Sequence, residues 1–150
     1  MSKAIDLARL VLFLCVVGAT SGCVLVPFVQ AFKESGLTES DRMALLPPRL
    51  KKFSDARMFG NKTDALDVVM PESQNQIAKQ LSEVGEHERV VKSKVEEVEW
   101  SDSAHKAKVM VKVESYKVTQ LIVTSVTEEQ QWEYSTSSGW LLKSRSKVEG

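Results

Sequence analysis

Cysteine is nearly absent from this chain: two residues in 150, at Cys15 and Cys23. Cys15 lies inside an apolar run, so the chain beyond that run holds a single thiol and cannot close an internal disulfide. A domain without bridges must be held by its own core. Histidine is as scarce, with only His87 and His105, and two distant imidazoles without a cysteine pair give too few ligands for zinc. The seven glycines are scattered, which excludes a phosphate-cradling loop, and none brackets a serine in the G-x-S-x-G pattern of a nucleophile elbow. Neither charge is in excess, since 20 basic and 20 acidic residues sum to a formal charge of zero. No basic patch or tail advertises nucleic acid. What remains is ordinary, 43% hydrophobic and 27% charged, the composition of a folded globule and not of a disordered chain.

The N-terminus is more specific. Lys3 and Arg9 precede the apolar run LVLFLCVVGA (residues 10–19), which leaves through Thr20, Ser21 and Gly22 into Cys23. This is the charged start, apolar centre and small-residue exit of a bacterial signal peptide. A cysteine after Ser21 and Gly22 resembles the lipobox of bacterial lipoproteins, whose thiol is lipidated and becomes the mature N-terminus. Thr20 stands where that pattern has an aliphatic residue, and VLVPFV (residues 24–29) stays apolar where a polar tether is usual. The rival reading is an uncleaved membrane helix over residues 10–29, about the 20 residues a bilayer requires. Gly18, Thr20, Ser21, Gly22 and Pro27 interrupt it, the proline by removing a backbone donor. A buried N-terminal helix is a third reading. In the first two, the bulk of the chain lies outside the cytoplasm, because Lys3 and Arg9 stay on the inner side. The expected division is a signal peptide over 1–22, a lipidated anchor and tether over 23–36, and a single domain over 37–150. By resemblance to lipoprotein sorting, Val24 in place of an aspartate points to the periplasmic face of an outer membrane. The uncleaved helix would instead hold the chain in the inner membrane.

Beyond the anchor the chain reads as helices, then strands. Thr38 and Ser40 are both plausible N-caps for a first helix that Pro47 and Pro48 stop or kink. A second helix is expected from Pro48 through Phe59, with Leu50, Phe53 and Phe59 on one face, closed by Gly60 and Asn61. A short helix over 63–70, capped by Thr63, precedes Pro71. A third helix over 72–84 carries Ile77, Ala78, Leu81 and Val84 as an apolar stripe and ends at Gly85. From residue 89 the pattern alternates. Val91, Ser93 and Val95 share one parity and Val98 and Trp100 the other, so the doublet Glu96, Glu97 reads as a bulge. Val109, Val111 and Val113 define a half-buried strand. Ile122, Thr124, Val126, Glu128, Gln130, Trp132 and Tyr134 share one parity over a long strand, and residues 140–148 pair back across a turn at Gly139. Turns at 101–103, near 119–120 and at 136–139 make this a four-stranded meander. The helical stripes and the valine face each need a cover, so they are expected to pack on one another.

Helices followed by a meander ending in QQWEYSTSSGWLLKS resemble the cone-shaped α+β fold called nuclear transport factor 2-like, or cystatin-like. The segment RLKKFSDARMFGNKTDALDVVMPE is similar to small bacterial lipoproteins of that class without an assigned activity. The resemblance covers roughly residues 41–148. It implies a curved antiparallel sheet wrapping a long helix and enclosing a cavity. No catalytic motif comes with it.

Candidate chemistry is thin. His87 has Glu86 and Glu88 beside it, but neighbours on an extended chain point to opposite sides and orient it poorly. His105 reads as a solvated turn residue. No catalytic, metal or cofactor residue is therefore expected, and the chain is read as a non-enzyme. Phe53, Tyr116, Trp132 and Tyr134 are the candidate cavity-lining residues, although aromatics on sheets usually form core and cross-strand pairs. The leading expectation is a lipoprotein anchored through Cys23 that acts by contact with a protein or other envelope component. The alternatives are a binding protein that holds a small hydrophobic ligand in the cone, or a single-pass membrane-anchored domain of the same fold.

Overall fold

The structure, a computed structural model, describes residues 35–120 and 122–148; the side chains of residues 84–87 are outside the description. The expected signal peptide, Cys15, Cys23 and the expected tether up to residue 34 lie outside the described residues. From Gly36 onward the chain forms one compact unit.

Helix α1 (Glu39–Met58) is capped by Thr38, whose Oγ1 accepts from the Asp41 backbone N–H at 3.1 Å while Asp41 takes the Thr38 N–H in return. This reciprocal box satisfies two otherwise orphaned donors. The helix does not stop at Pro47 and Pro48, as the sequence suggests, but runs through both. Its buried residues Arg42, Leu46, Leu50, Phe53 and Ala56 form one uninterrupted stripe. Both prolines sit on the solvent side, where water can take the place of the missing donors, and tertiary packing of the stripe outweighs the local break. Phe59, expected on the apolar face, is instead the C-cap and 81% exposed. Gly60 takes a positive φ of 73°, and the Asn61 N–H returns to the Ala56 carbonyl at 2.8 Å, a left-handed stop that glycine permits.

Helix α2 is shorter than expected, Lys62–Leu66, and is capped by Asn61 rather than Thr63. Asp67 and Val68 form a turn after it, in which the Val69 N–H returns to the Leu66 carbonyl at 3.0 Å. Met70 donates to the Leu142 carbonyl and Leu142 to the Val68 carbonyl, so Val69 forms a parallel bridge to the last strand and covers its edge. A 3₁₀ turn (Pro71–Ser73) leads into α3 (Gln74–His87), which passes Gly85 instead of ending there.

Four strands complete the chain: β1 (Glu88–Ser101), β2 (Lys106–Lys117), β3 (Val123–Ser135) and β4 (Gly139–Val148). They pair antiparallel in the order β1-β2-β3-β4, the expected α+β meander. The bulge read at Glu96 and Glu97 is present as a register shift between Val95 and Glu97, and a second shift falls between Val90 and Lys92. The β1–β2 turn holds Asp102, Ser103 and Ala104 all at positive φ. The Arg42 guanidinium fixes it, donating from Nε and Nη2 to the Ser103 carbonyl at 3.2 and 2.7 Å.

The core lies between the α1 and α3 stripes and the inner sheet face. Leu46, Phe53, Ile77, Val109, Val111, Trp132, Trp140 and Leu142 are at most 2% exposed. Phe53 meets Trp132 edge-on at 6.2 Å. Each buried indole N–H finds a partner, Trp132 on Gln130 Oε1 at 3.1 Å and Trp140 on the Arg42 carbonyl at 2.7 Å.

Candidate functional site

Between α1 and the edge strand β1 the core does not close. A cleft of about 520 Å³ opens there, walled by Leu50, Phe53 and Met58 of α1 and by Val91, Val95, Val98 and Trp100 of β1. Val111 and Gln130 also line it, and Lys51, Asp55, Lys92 and Ser93 bring polar groups to it. The volume falls within the range of small-molecule sites, which are concave, mainly apolar and furnished with a few polar groups. The bulges in β1 explain the opening. Each inserts a residue that bends the strand and leaves it locally unpaired, and Val91 and Val95 stand beside these shifts at 46% and 42% exposure. Apolar side chains exposed along the wall of a concave groove are the mark of a surface that takes a ligand or partner.

One end of the cleft is charged. Arg57, in the last turn of α1, donates from Nη1 and Nη2 to the two carboxylate oxygens of Glu128 at 2.9 and 3.0 Å, and both side chains are at most 4% exposed. Arg145 of β4 approaches the same carboxylate, with its Nε 3.9 Å from Oε2. Burial pushes the Arg145 guanidinium below its ordinary pKa, Arg57 beside it adds to the fall, and Glu128 and Glu88 oppose it. Its Nη1 has no hydrogen-bond partner among the described residues, nor has Gln80 Oε1. Glu88 in turn accepts from the Ser115 hydroxyl. The sheet's inner row therefore changes character along β3, from Trp132 and Tyr134 to Gln130 and Glu128, and the cleft inherits a cationic end.

Of the four aromatic candidates, Phe53 lines the cleft. Trp132 and Tyr134 are core residues, the latter packed on Trp140 at 5.5 Å and on His105 at 6.1 Å. Tyr116 alternates with the buried Val113 and Ser115 and is half-buried on the opposite face of β2. His105 is half-buried in its turn, with Nδ1 2.8 Å from the Asp102 carbonyl. The side chain of His87 lies outside the described residues. No group of three or more metal-ligating side chains occurs among the described residues, and none of their helices is long and apolar enough to cross a membrane. Sequence reasoning missed Arg57, Glu128 and Arg145 as a cluster. The available signal was Glu128 and Gln130 sharing the parity of Trp132 and Tyr134, which places them inside.

No family model and no curated relative matches the chain. Solved structures do share its architecture. The intermembrane-space region of the chloroplast protein ARC6 aligns with a TM-score of 0.50 at 16% identity, over 69% of this chain and 93% of that one. A ketosteroid isomerase-like protein from Erwinia carotovora atroseptica aligns at 0.54 and 15% identity, over 71% and 96%. A SEC-C motif containing protein from Rhodopseudomonas palustris aligns at 0.53 and 12% identity, over 71% and 77%. Identities this low show the fold alone. That fold is the cone-shaped, nuclear transport factor 2-like or cystatin-like arrangement, with N-terminal helices packed on a curved four-stranded antiparallel sheet.

Proposed function

We propose that this domain is a non-enzymatic binding module that holds a small hydrophobic ligand in the cleft between α1 and β1. The observation that carries the reading is the cleft itself, about 520 Å³ walled mainly by aliphatic and aromatic side chains and open to solvent. Its charged groups are engaged in ion pairs, Asp55 with Lys51 and Arg57 with Glu128. The outer sheet face, by contrast, carries the cross-strand ion pairs Lys108–Glu99 and Lys143–Glu133, a solvated surface rather than an apolar docking face.

The N-terminal sequence supplies the second part of the proposal. Lipidation at Cys23 would hold the domain on the outer side of a membrane, near the lipids and envelope components from which an apolar ligand or partner would come. Two or more acyl chains make such anchoring stable, where one would be marginal.

Binding of a neutral apolar fluorophore to the full-length chain tests the cleft. Val95→Glu places a carboxylate in the apolar wall at an exposed edge position, and Ser93→Trp fills the groove. Both are expected to lower affinity at least tenfold while leaving the unfolding midpoint nearly unchanged. Undiminished binding in both folded variants would remove the cleft as the site.

A further inference from the structure

Near the Met58–Val91 end of the apolar cleft lies a second cavity of about 80 Å³, whose lining includes Arg57, Gly60, Lys62, Glu88 and Arg89. The two share Arg57, so α1 and β1 frame one seam that is apolar along most of its length and cationic at its foot. Along α1 the apolar part, from Leu46 to Met58, is about 18 Å long at 1.5 Å per residue. Arg89 is placed to meet a ligand: its guanidinium makes no hydrogen bond or ion pair among the described residues, and a methyl at Gly60 would lie 3.6 Å from its Nη1. Arg57 uses two of its five N–H donors on Glu128 and keeps three. Among the described residues, the lining of this small cavity holds three cations, Arg57, Lys62 and Arg89, and one carboxylate, Glu88. The C-terminus of α1 contributes only about half a negative charge and does not reverse the balance.

Resting on the ligand-binding reading above, the geometry points to a single-chain fatty acid as the ligand, its carboxylate in the small pocket on Arg89 and Arg57 and its chain along the cleft toward Leu46 and Trp100. Size selects among anionic amphiphiles. The small cavity of about 80 Å³ beside a cleft of about 520 Å³ suits a compact anionic head on a long apolar chain. Charge selects against the neutral alternatives, because a carboxylate accepts the charge-assisted, bidentate hydrogen bonds that a guanidinium offers. The exposed edge of β1 is a poorer site for strand addition by a partner, since its two bulges and its charged residues Lys92, Lys94 and Glu96 blunt it.

Photolabelling of the full-length chain separates this assignment from the reading beneath it. Hexadecanoate and hexadecanol, each with a diazirine at the terminal carbon, are compared by mass spectrometry of labelled peptides. Hexadecanoate is expected to label the Leu46 and Trp100 end and to be favoured over the alcohol at least tenfold. Arg89→Ala should erase that preference without altering labelling by the alcohol. Equal labelling of the cleft by acid and alcohol in the unaltered chain overturns the carboxylate assignment and leaves an apolar site standing. Labelling of the cleft by neither overturns both.

Discussion

Arg57 and Glu128, 71 positions apart in the chain, meet as a bidentate pair inside the cone at 2.9 and 3.0 Å. The pair joins the end of α1 to the middle of β3, and through Arg145 it reaches β4. It stands where the inner face of the sheet would otherwise be apolar. Removing two charges from water costs several kcal/mol per ion, so such a pair is weak evidence of net stabilisation. Breaking it from one side is another matter. Glu128→Ala leaves two buried guanidiniums without their shared carboxylate and is expected to destabilise the domain by about 3–5 kcal/mol. The combined replacement Arg57→Met, Glu128→Leu, Arg145→Met removes all three charges together and should cost far less, or stabilise. Denaturant midpoints of the two variants decide this, and a smaller loss in the single variant than in the triple would contradict it.

Trp140 ties the last strand to the first helix by donating its indole N–H to the Arg42 carbonyl at 2.7 Å, with no exposed surface of its own. Trp140→Phe loses that bond and part of the ring volume, and a loss of about 1–3 kcal/mol is expected. Trp100→Phe, at a half-buried site on the cleft wall, should cost clearly less. Urea unfolding of both variants gives the comparison.

Gly36 and Gly60 both hold positive φ, at 61° and 73°, but their surroundings differ. A Cβ at Gly36 would collide with Tyr134 Oη, whereas at Gly60 the nearest contact is 3.6 Å, to Arg89. Both alanines meet a left-handed strain of about 1–2 kcal/mol, but only Gly36→Ala adds a clash. Gly36→Ala should therefore lower the melting temperature more than Gly60→Ala.

The proposed lipid anchor has its own test. Mass spectrometry of the chain's N-terminus is expected to find Cys23 as the first residue with acyl mass attached, and Cys23→Ala to abolish it. A polypeptide retaining residues 1–22 without acyl mass would replace the lipid anchor with the uncleaved helix.

The sheet was legible in the sequence because alternation and turn chemistry act locally: Val109, Val111 and Val113 fell on the inner face and Gly139 at a hairpin with φ of 71°, as the pattern implied. The helix boundaries were less so. Pro47 and Pro48 argue locally for a break, but the stripe from Arg42 to Ala56 is a tertiary fact that prevails. Thr63 looks like a cap, yet Asn61 holds that place because the chain turns one step earlier at Gly60. The site was the least legible part. Its cleft depends on two bulges, of which the pattern revealed only the one at Glu96, and its charged end depends on Arg57, Glu128 and Arg145 meeting from three separate elements. Trp132 and Tyr134, candidates for lining a cavity, fill the core as aromatics on sheets usually do, and the cleft is walled chiefly by aliphatic positions of the edge strand.

Amide chemical-shift mapping of the full-length chain with hexadecanol tests the central claim, that the seam between α1 and β1 receives an apolar ligand. The account predicts saturable shifts concentrated at Leu50, Phe53, Val91, Val95, Val98 and Trp100, with Lys108, Glu133 and Lys143 on the outer face unmoved. Shifts spread evenly over the sheet, or confined to its outer face, would contradict it.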